Sequence, residues 1–199
     1  MKYVFTFLAV AFAMSANAQT SKGSWMIGGA MKIQRQSSDY AYFDQSTGAV
    51  QYAKANYGVF ELSPTVGYFL NDRIMLGLHV DDYRSWRAGG PTDKRHIFSF
   101  GPIARYYIPV ARTLAVFPEI AYLYSSDTHT FFIDTSNQTQ KAKSSVIRGG
   151  LGLAWFVTPN IGIEGLLAYQ KTDSKNKDLG DQQDLYYSIG IQFYLPKKN

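Results

Sequence analysis

The feature that most limits what this chain can fold into is a period of two, repeated along nearly its whole length. From Trp25 to Leu195, about eight segments place apolar side chains at every second position, near 24–34, 57–70, 74–84, 96–108, 113–125, 145–157, 161–171 and 185–195. Alternation of this kind is the signature of β-strands, whose successive side chains point to opposite faces. No helical period interrupts it. The connections alternate too. Asn71-Asp72, Pro109 to Arg112 and Thr158-Pro159-Asn160 read as tight turns, whereas 35–56, 85–95, 126–144 and 172–184 read as long polar connections.

The two faces differ in chemistry. One carries Trp25, Ile27, Met31 and Ile33, then Phe60, Leu62, Val66 and Tyr68, then Ile74, Leu76, Leu78 and Val80, and it is almost free of charge. Ile147, Leu151, Leu153 and Trp155 continue it, followed by Ile161, Ile163, Leu167 and Tyr169, and by Ile189, Ile191, Phe193 and Leu195. The other face mixes Gly28, Ala30, Gly77, Gly150, Gly152 and Ala154 with the rings Tyr83, Tyr107, Phe117, Phe156, Tyr186 and Tyr194. Water would favour long polar residues over so much strand-weakening glycine. A crowded interior needs small residues opposite large ones. The apolar set is therefore expected to face lipid and the mixed set a lumen. The fold expected is all-β, an eight-stranded antiparallel up-and-down transmembrane barrel. A soluble barrel or sandwich, with the apolar set inside, is the alternative.

The ends and the composition agree with export. Residues 1–18, MKYVFTFLAVAFAMSANA, combine Lys2, a short apolar run and Ala16-Asn17-Ala18, the order of a cleaved signal peptide, which leaves 19–199 as the barrel domain. The run is too short for a membrane anchor, which needs about 20 residues. Cysteine is absent, so no disulfide staples the exported chain. The net charge of +5 is spread along the sequence, without the basic run that nucleic acid requires. Aromatic residues make up 16%, with Tyr the commonest, as suits a membrane–water boundary.

In this orientation several charges point inward: Lys32, Glu61, Asp81, Arg105, Glu119, Arg148 and Glu164, with His79 and Gln192. Arg105 lies in FSFGPIARYYIPV, where exposure to lipid near mid-bilayer would cost about 2–4 kcal/mol. Arg105 and Glu119 fall on consecutive strands and are expected to pair. Lys32, Glu61 and Arg148 are expected to form a second group, helped by closure between the first and last strands. Buried charge must be paired, and an eight-stranded barrel is just wide enough for its own side chains. A structural network is thus the favoured reading, and a gated polar path the competing one.

Catalytic and metal signatures are weak. His79 and Asp81 share one face, but no nucleophile neighbours them in sequence, and His96 and His129 lie near connections. No histidine is followed two residues later by serine, the lipid-facing pair of outer-membrane lipid A deacylases. No phosphate loop, zinc spacing or calcium loop occurs. No catalytic, cofactor or metal residue is assigned. Aromatics within the connections, Tyr40, Tyr42 and Phe43 in 35–56 and Phe131 and Phe132 in 126–144, suit a surface ligand.

Three stretches carry a family resemblance. FELSPTVGYFLNDRIMLGL (Phe60 to Leu78), GPIARYYIPV (Gly101 to Val110) and the closing SIGIQFYL (Ser188 to Leu195) resemble small outer-membrane barrels of the OmpA/OmpX-like, porin-superfamily kind. The resemblance implies the bacterial outer membrane, with its lipid and lipopolysaccharide, as the surroundings. It also implies assembly by the barrel-assembly machinery, with Ser188, Gly190, Phe193 and Leu195 as the assembly signal. Many members end on an aromatic residue, whereas this chain continues through Pro196 to Asn199. The expected role is structural or in surface interaction, without enzymatic activity. A narrow porin-like channel comes second and a lipid-modifying enzyme third.

Overall fold

The computed structural model describes residues 20–44, 47–89, 91–133, 136–174 and 181–197; the expected signal peptide lies outside them. The strands are β1 (Trp25–Asp44), β2 (Ala49–Phe69), β3 (Ile74–Ala88), β4 (Asp93–Tyr106), β5 (Ile108–Ala111), β6 (Leu114–Ile133), β7 (Ser136–Thr158), β8 (Ile161–Ser174) and β9 (Gln182–Leu195). Both β4 and β5 pair with β6, so they are two pieces of one stave, interrupted at Tyr107. Every neighbouring pair is antiparallel, and β9 returns to β1. The result is a closed barrel of eight staves. No helix long and apolar enough to cross a membrane occurs among the described residues.

Alternation sets which way each side chain points. Along β4, Ser99, Gly101, Ile103 and Arg105 are buried while Phe98, Phe100, Pro102 and Tyr106 are exposed. Buried rings at Phe69, Tyr107, Phe117, Phe156 and Tyr194 stack across the lumen near the short-turn end. Gly152 gives Phe117 its seat, since a Cβ there would overlap the ring. The outer surface carries Trp25, Ile27, Leu62, Leu76, Leu151 and Ile191, all exposed. An apolar surface this continuous would be untenable in water, and it is what a lipid-facing wall requires.

The short-turn end is well tied. Asn71 Oδ1 accepts hydrogen bonds from the amides of Arg73 and Ile74, both at 2.8 Å, which closes the β2–β3 turn. Thr20 donates to the Asp72 carbonyl at 2.7 Å, drawing the start of the described chain against that turn. Two boundaries differ from expectation. Pro109 lies within β5 opposite Ala115, so the turn into β6 is confined to Arg112 and Thr113. The larger difference concerns the polar connections. Residues 35–44 and 49–56 continue β1 and β2, while 126–133 and 136–144 continue β6 and β7. These hairpins have strands of 20 to 23 residues, against the roughly 9–11 that a tilted strand needs to cross a bilayer. Their outer halves stand clear of the membrane: β1–β2 beyond Asn56 as a two-stranded ladder, β6–β7 with β4 still paired to β6 as far as Phe131.

Candidate functional site

The polar side chains of the lumen converge on two arginines. Arg105, on β4, donates through Nε to Glu119 on β6 at 2.7 Å and through Nη1 to Glu164 on β8 at 2.8 Å. It therefore spans the barrel rather than bracing one hairpin. Arg105 and Glu119 are direct register partners. Glu164 also accepts from Tyr107 at 2.9 Å and from the Tyr194 hydroxyl. The Arg105 guanidinium lies over the Phe117 ring, 4.7 Å from its centroid, where the negative face of the ring adds a cation–π contact. Each of these three charged residues is at most 6% exposed.

One layer further from the short turns, Arg148 on β7 bonds Asp81 at 3.4 Å and lies over the Tyr186 ring at 4.4 Å. Its Nε stands 3.5 Å from Glu119 Oε1, which joins the two layers electrostatically. His79 links Thr65, at 2.7 Å through Nδ1, to Asp81, at 2.9 Å through Nε2. The space left among these groups is about 20 Å³, room for roughly one water molecule.

Of the expected inward charges, Asp81, Arg105, Glu119, Arg148 and Glu164 form this single network. The second group comes together only loosely: Lys32 and Arg148 both act electrostatically on Glu61, without an ion pair to it among the described residues. Arg148 turns to Asp81 and Glu119, and Lys32, although opposite Glu61 in register, sends its ammonium over the Tyr187 ring, 5.5 Å from the centroid. The reason lies in closure: β1 pairs with β9 only from Trp25 to Ala30, so on that side no paired strand confines Lys32 to the lumen. The layer of tyrosines that serves Glu164 and Arg148 was not assigned from sequence, though Tyr107, Tyr186 and Tyr194 all stood in the inward set.

Above the membrane the inward face carries more polar contacts. Arg95 donates to Asp127 at 2.9 and 2.6 Å, and Asp127 beside it holds the guanidinium above its ordinary pKa. His129 and Tyr57 both reach Asp93, at 2.9 and 3.1 Å. On the outer face His96 bonds Asp82 at 3.1 Å, with its ring leaning toward β3, while Ser126 and Thr128 lie on β6 to its other side. No group of three His, Cys, Asp or Glu residues among the described residues is arranged to hold a metal ion. Of the expected assembly signal, Phe193 and Leu195 face outward, and Ser188 and Gly190 face inward beside Gln192.

No protein-family model matches the chain, and no curated protein matches it in sequence. Solved structures do match in shape. Ail, the attachment invasion locus protein of Yersinia pestis, gives a TM-score of 0.54 at 10% identity, over 87% of this chain and 99% of that one. The outer membrane protein OprG from Pseudomonas aeruginosa gives 0.51 at 18% identity, over 91% of this chain and all of that one. The chain has the fold of the small outer-membrane barrels. As such a barrel it resides in the bacterial outer membrane, with its apolar wall against lipid and its long hairpins beyond it.

Proposed function

We propose that this outer-membrane barrel is a non-conducting, non-enzymatic scaffold that acts at the cell surface through its long hairpins. The observation that carries this reading is the position of Arg105. It is held by Glu119 and Glu164 from different staves, above a floor of packed rings, so a solute would have to break two buried ion pairs to pass. Buried pairs of this kind resist loss of a partner far more than they add to stability.

The external role rests on strand length and on what the ladders display. Tyr52 is 79% exposed beyond the apolar wall, with Val50 and Phe132 also in the open. Exposed aromatics on a paired strand ladder suit a surface partner bound through 35–56 and 126–144. Assembly through the last strand, with Phe193 and Leu195 on its outer face, belongs to the same reading. The narrow channel remains the second reading, favoured by polar side chains that recur along the lumen from Glu164 through Arg148, His79 and Ser99 to Asp93.

Planar-bilayer recording separates the two. The scaffold reading expects no discrete openings from the purified protein. Stepwise openings that disappear in Arg105→Ala or Glu119→Ala would reverse the order.

A further inference from the structure

The barrel wall is not sealed evenly. The ladder between β1 and β9 runs from Trp25–Leu195 to Ala30–Gly190 and stops there. At its end the backbones crowd: a Cβ on Gly190 would strike the Gly29 carbonyl, and one on Gly28 would strike Gln192 and the Ile191 carbonyl. Strands rise about 3.3 Å per residue and tilt by about 40°, so five residues lift the seam about 13 Å above the short-turn end. That is mid-bilayer. From Met31 and Ile189 upward, the facing edges of β1 and β9 lie in the half of the membrane nearest the long hairpins.

An unpaired strand edge in hydrocarbon leaves amide and carbonyl groups without partners, a state membranes do not tolerate. Something polar must reach this seam from the outer half of the bilayer. Two neighbouring features indicate what. The Lys32 ammonium lies at the seam: its residue is inward in register opposite Glu61, yet it stands 5.5 Å from the centre of the Tyr187 ring, which is on the outer face and 68% exposed. Beside Tyr187 the outer surface holds an apolar groove of about 600 Å³, over Gly165 and between Leu151, Leu153, Leu167 and Ile189. Gly165 makes it: a Cβ there would meet no atom within 4 Å, so the missing side chain leaves a dip in an otherwise filled wall. A cation in the outer half of the bilayer, able to snorkel toward the interface above an apolar groove, fits an amphiphile with an anionic headgroup. Arg35, exposed three residues further along β1, adds a second cation on the same stave.

We propose that the β1–β9 seam binds one molecule of lipid A. A phosphate of the lipid lies on Lys32, its hydroxyl and amide groups meet the open strand edges, and one acyl chain lies in the groove over Gly165. The outer half of the bilayer is where this phosphorylated lipid resides, which favours it over an inner-leaflet phospholipid. The site goes beyond the scaffold reading and does not depend on it.

The test uses the folded protein in nanodiscs, with lipid retention after delipidation read by native mass spectrometry. Lipid A, phosphatidylglycerol and phosphatidylcholine are supplied in parallel. The site predicts one retained lipid A per barrel, with retention about tenfold weaker in both Lys32→Gln and Gly165→Leu. Lys197→Gln, at the opposite end, should behave as the parent. Heat-modifiable gel mobility reports folding, and if Gly165→Leu does not fold, Tyr187→Ala replaces it. Retention that ignores these substitutions, no retained lipid A, or equal retention of either phospholipid would overturn the proposal. So would a stable dimer that consumes the seam.

Discussion

Arg105 shows how one side chain can hold a barrel across its width. Its two carboxylate partners lie on β6, which pairs with its own β4, and on β8, which does not, so through Glu164 the guanidinium ties together two staves that share no direct ladder. Replacing it by Met removes the cation but leaves Glu119 and Glu164 buried. Stranding a buried charge costs about 3–5 kcal/mol, and Arg105→Met should lose that much in a urea titration of the barrel refolded into lipid vesicles. Adding Glu119→Gln and Glu164→Gln should restore most of the loss, since amides can remain without a countercharge. If the single variant lost less than about 1 kcal/mol, the lumen would have to be hydrated enough to solvate the stranded Glu164 carboxylate, with Glu119 left to Arg148 alone.

The strands show where period-two reading works and where it stops. Between lipid and lumen the two faces meet different surroundings, so Phe98, Phe100 and Tyr106 separate cleanly from Ser99, Arg105 and Tyr107. The wall and its five central charges were legible for that reason. Beyond the membrane both faces meet water, the contrast vanishes, and SSDYAYFD or SNQTQKAK reads as loop although each continues a strand. The seam was hidden for another reason. Pairing between β1 and β9 joins residues some 160 positions apart, and nothing near Lys32 in sequence announces that the ladder ends at Ala30. If the outer ladders are independent of the wall, they can be removed. Cutting β6–β7 back to Thr128 and Lys141, which are direct partners, and joining them by Asn-Gly should give a short hairpin with a favoured turn. The shortened barrel should keep its heat-modifiable gel mobility. Loss of that folded band would mean that the ladder is needed to assemble the wall.

At the scale of the whole molecule, the apolar wall fixes where the barrel sits, and the protein has three tryptophans with which to measure it. Trp25 starts β1 with its ring edge-on to Tyr68, and Trp155 lies near the end of β7; both face outward at the short-turn rim. Such rings settle at the headgroup level, with their apolar bodies in lipid and their N–H groups toward water. Trp86 also faces outward, but it lies twelve residues beyond the start of β3 at Ile74. At about 2.5 Å of height per residue this places it some 30 Å up, above an apolar band about 25 Å tall. Single-tryptophan variants, with the other two replaced by Phe, can therefore be ranked by fluorescence quenching in vesicles of brominated lipid. Trp25 and Trp155 should be quenched most by bromine near the headgroups and less by bromine near the chain ends. Trp86 should be quenched little by either. Strong quenching of Trp86 by chain-end bromine would lower the barrel by about 10 Å or more, burying Arg84 and Lys94 in hydrocarbon. It would also return the outer ladders to the role of membrane-spanning strands.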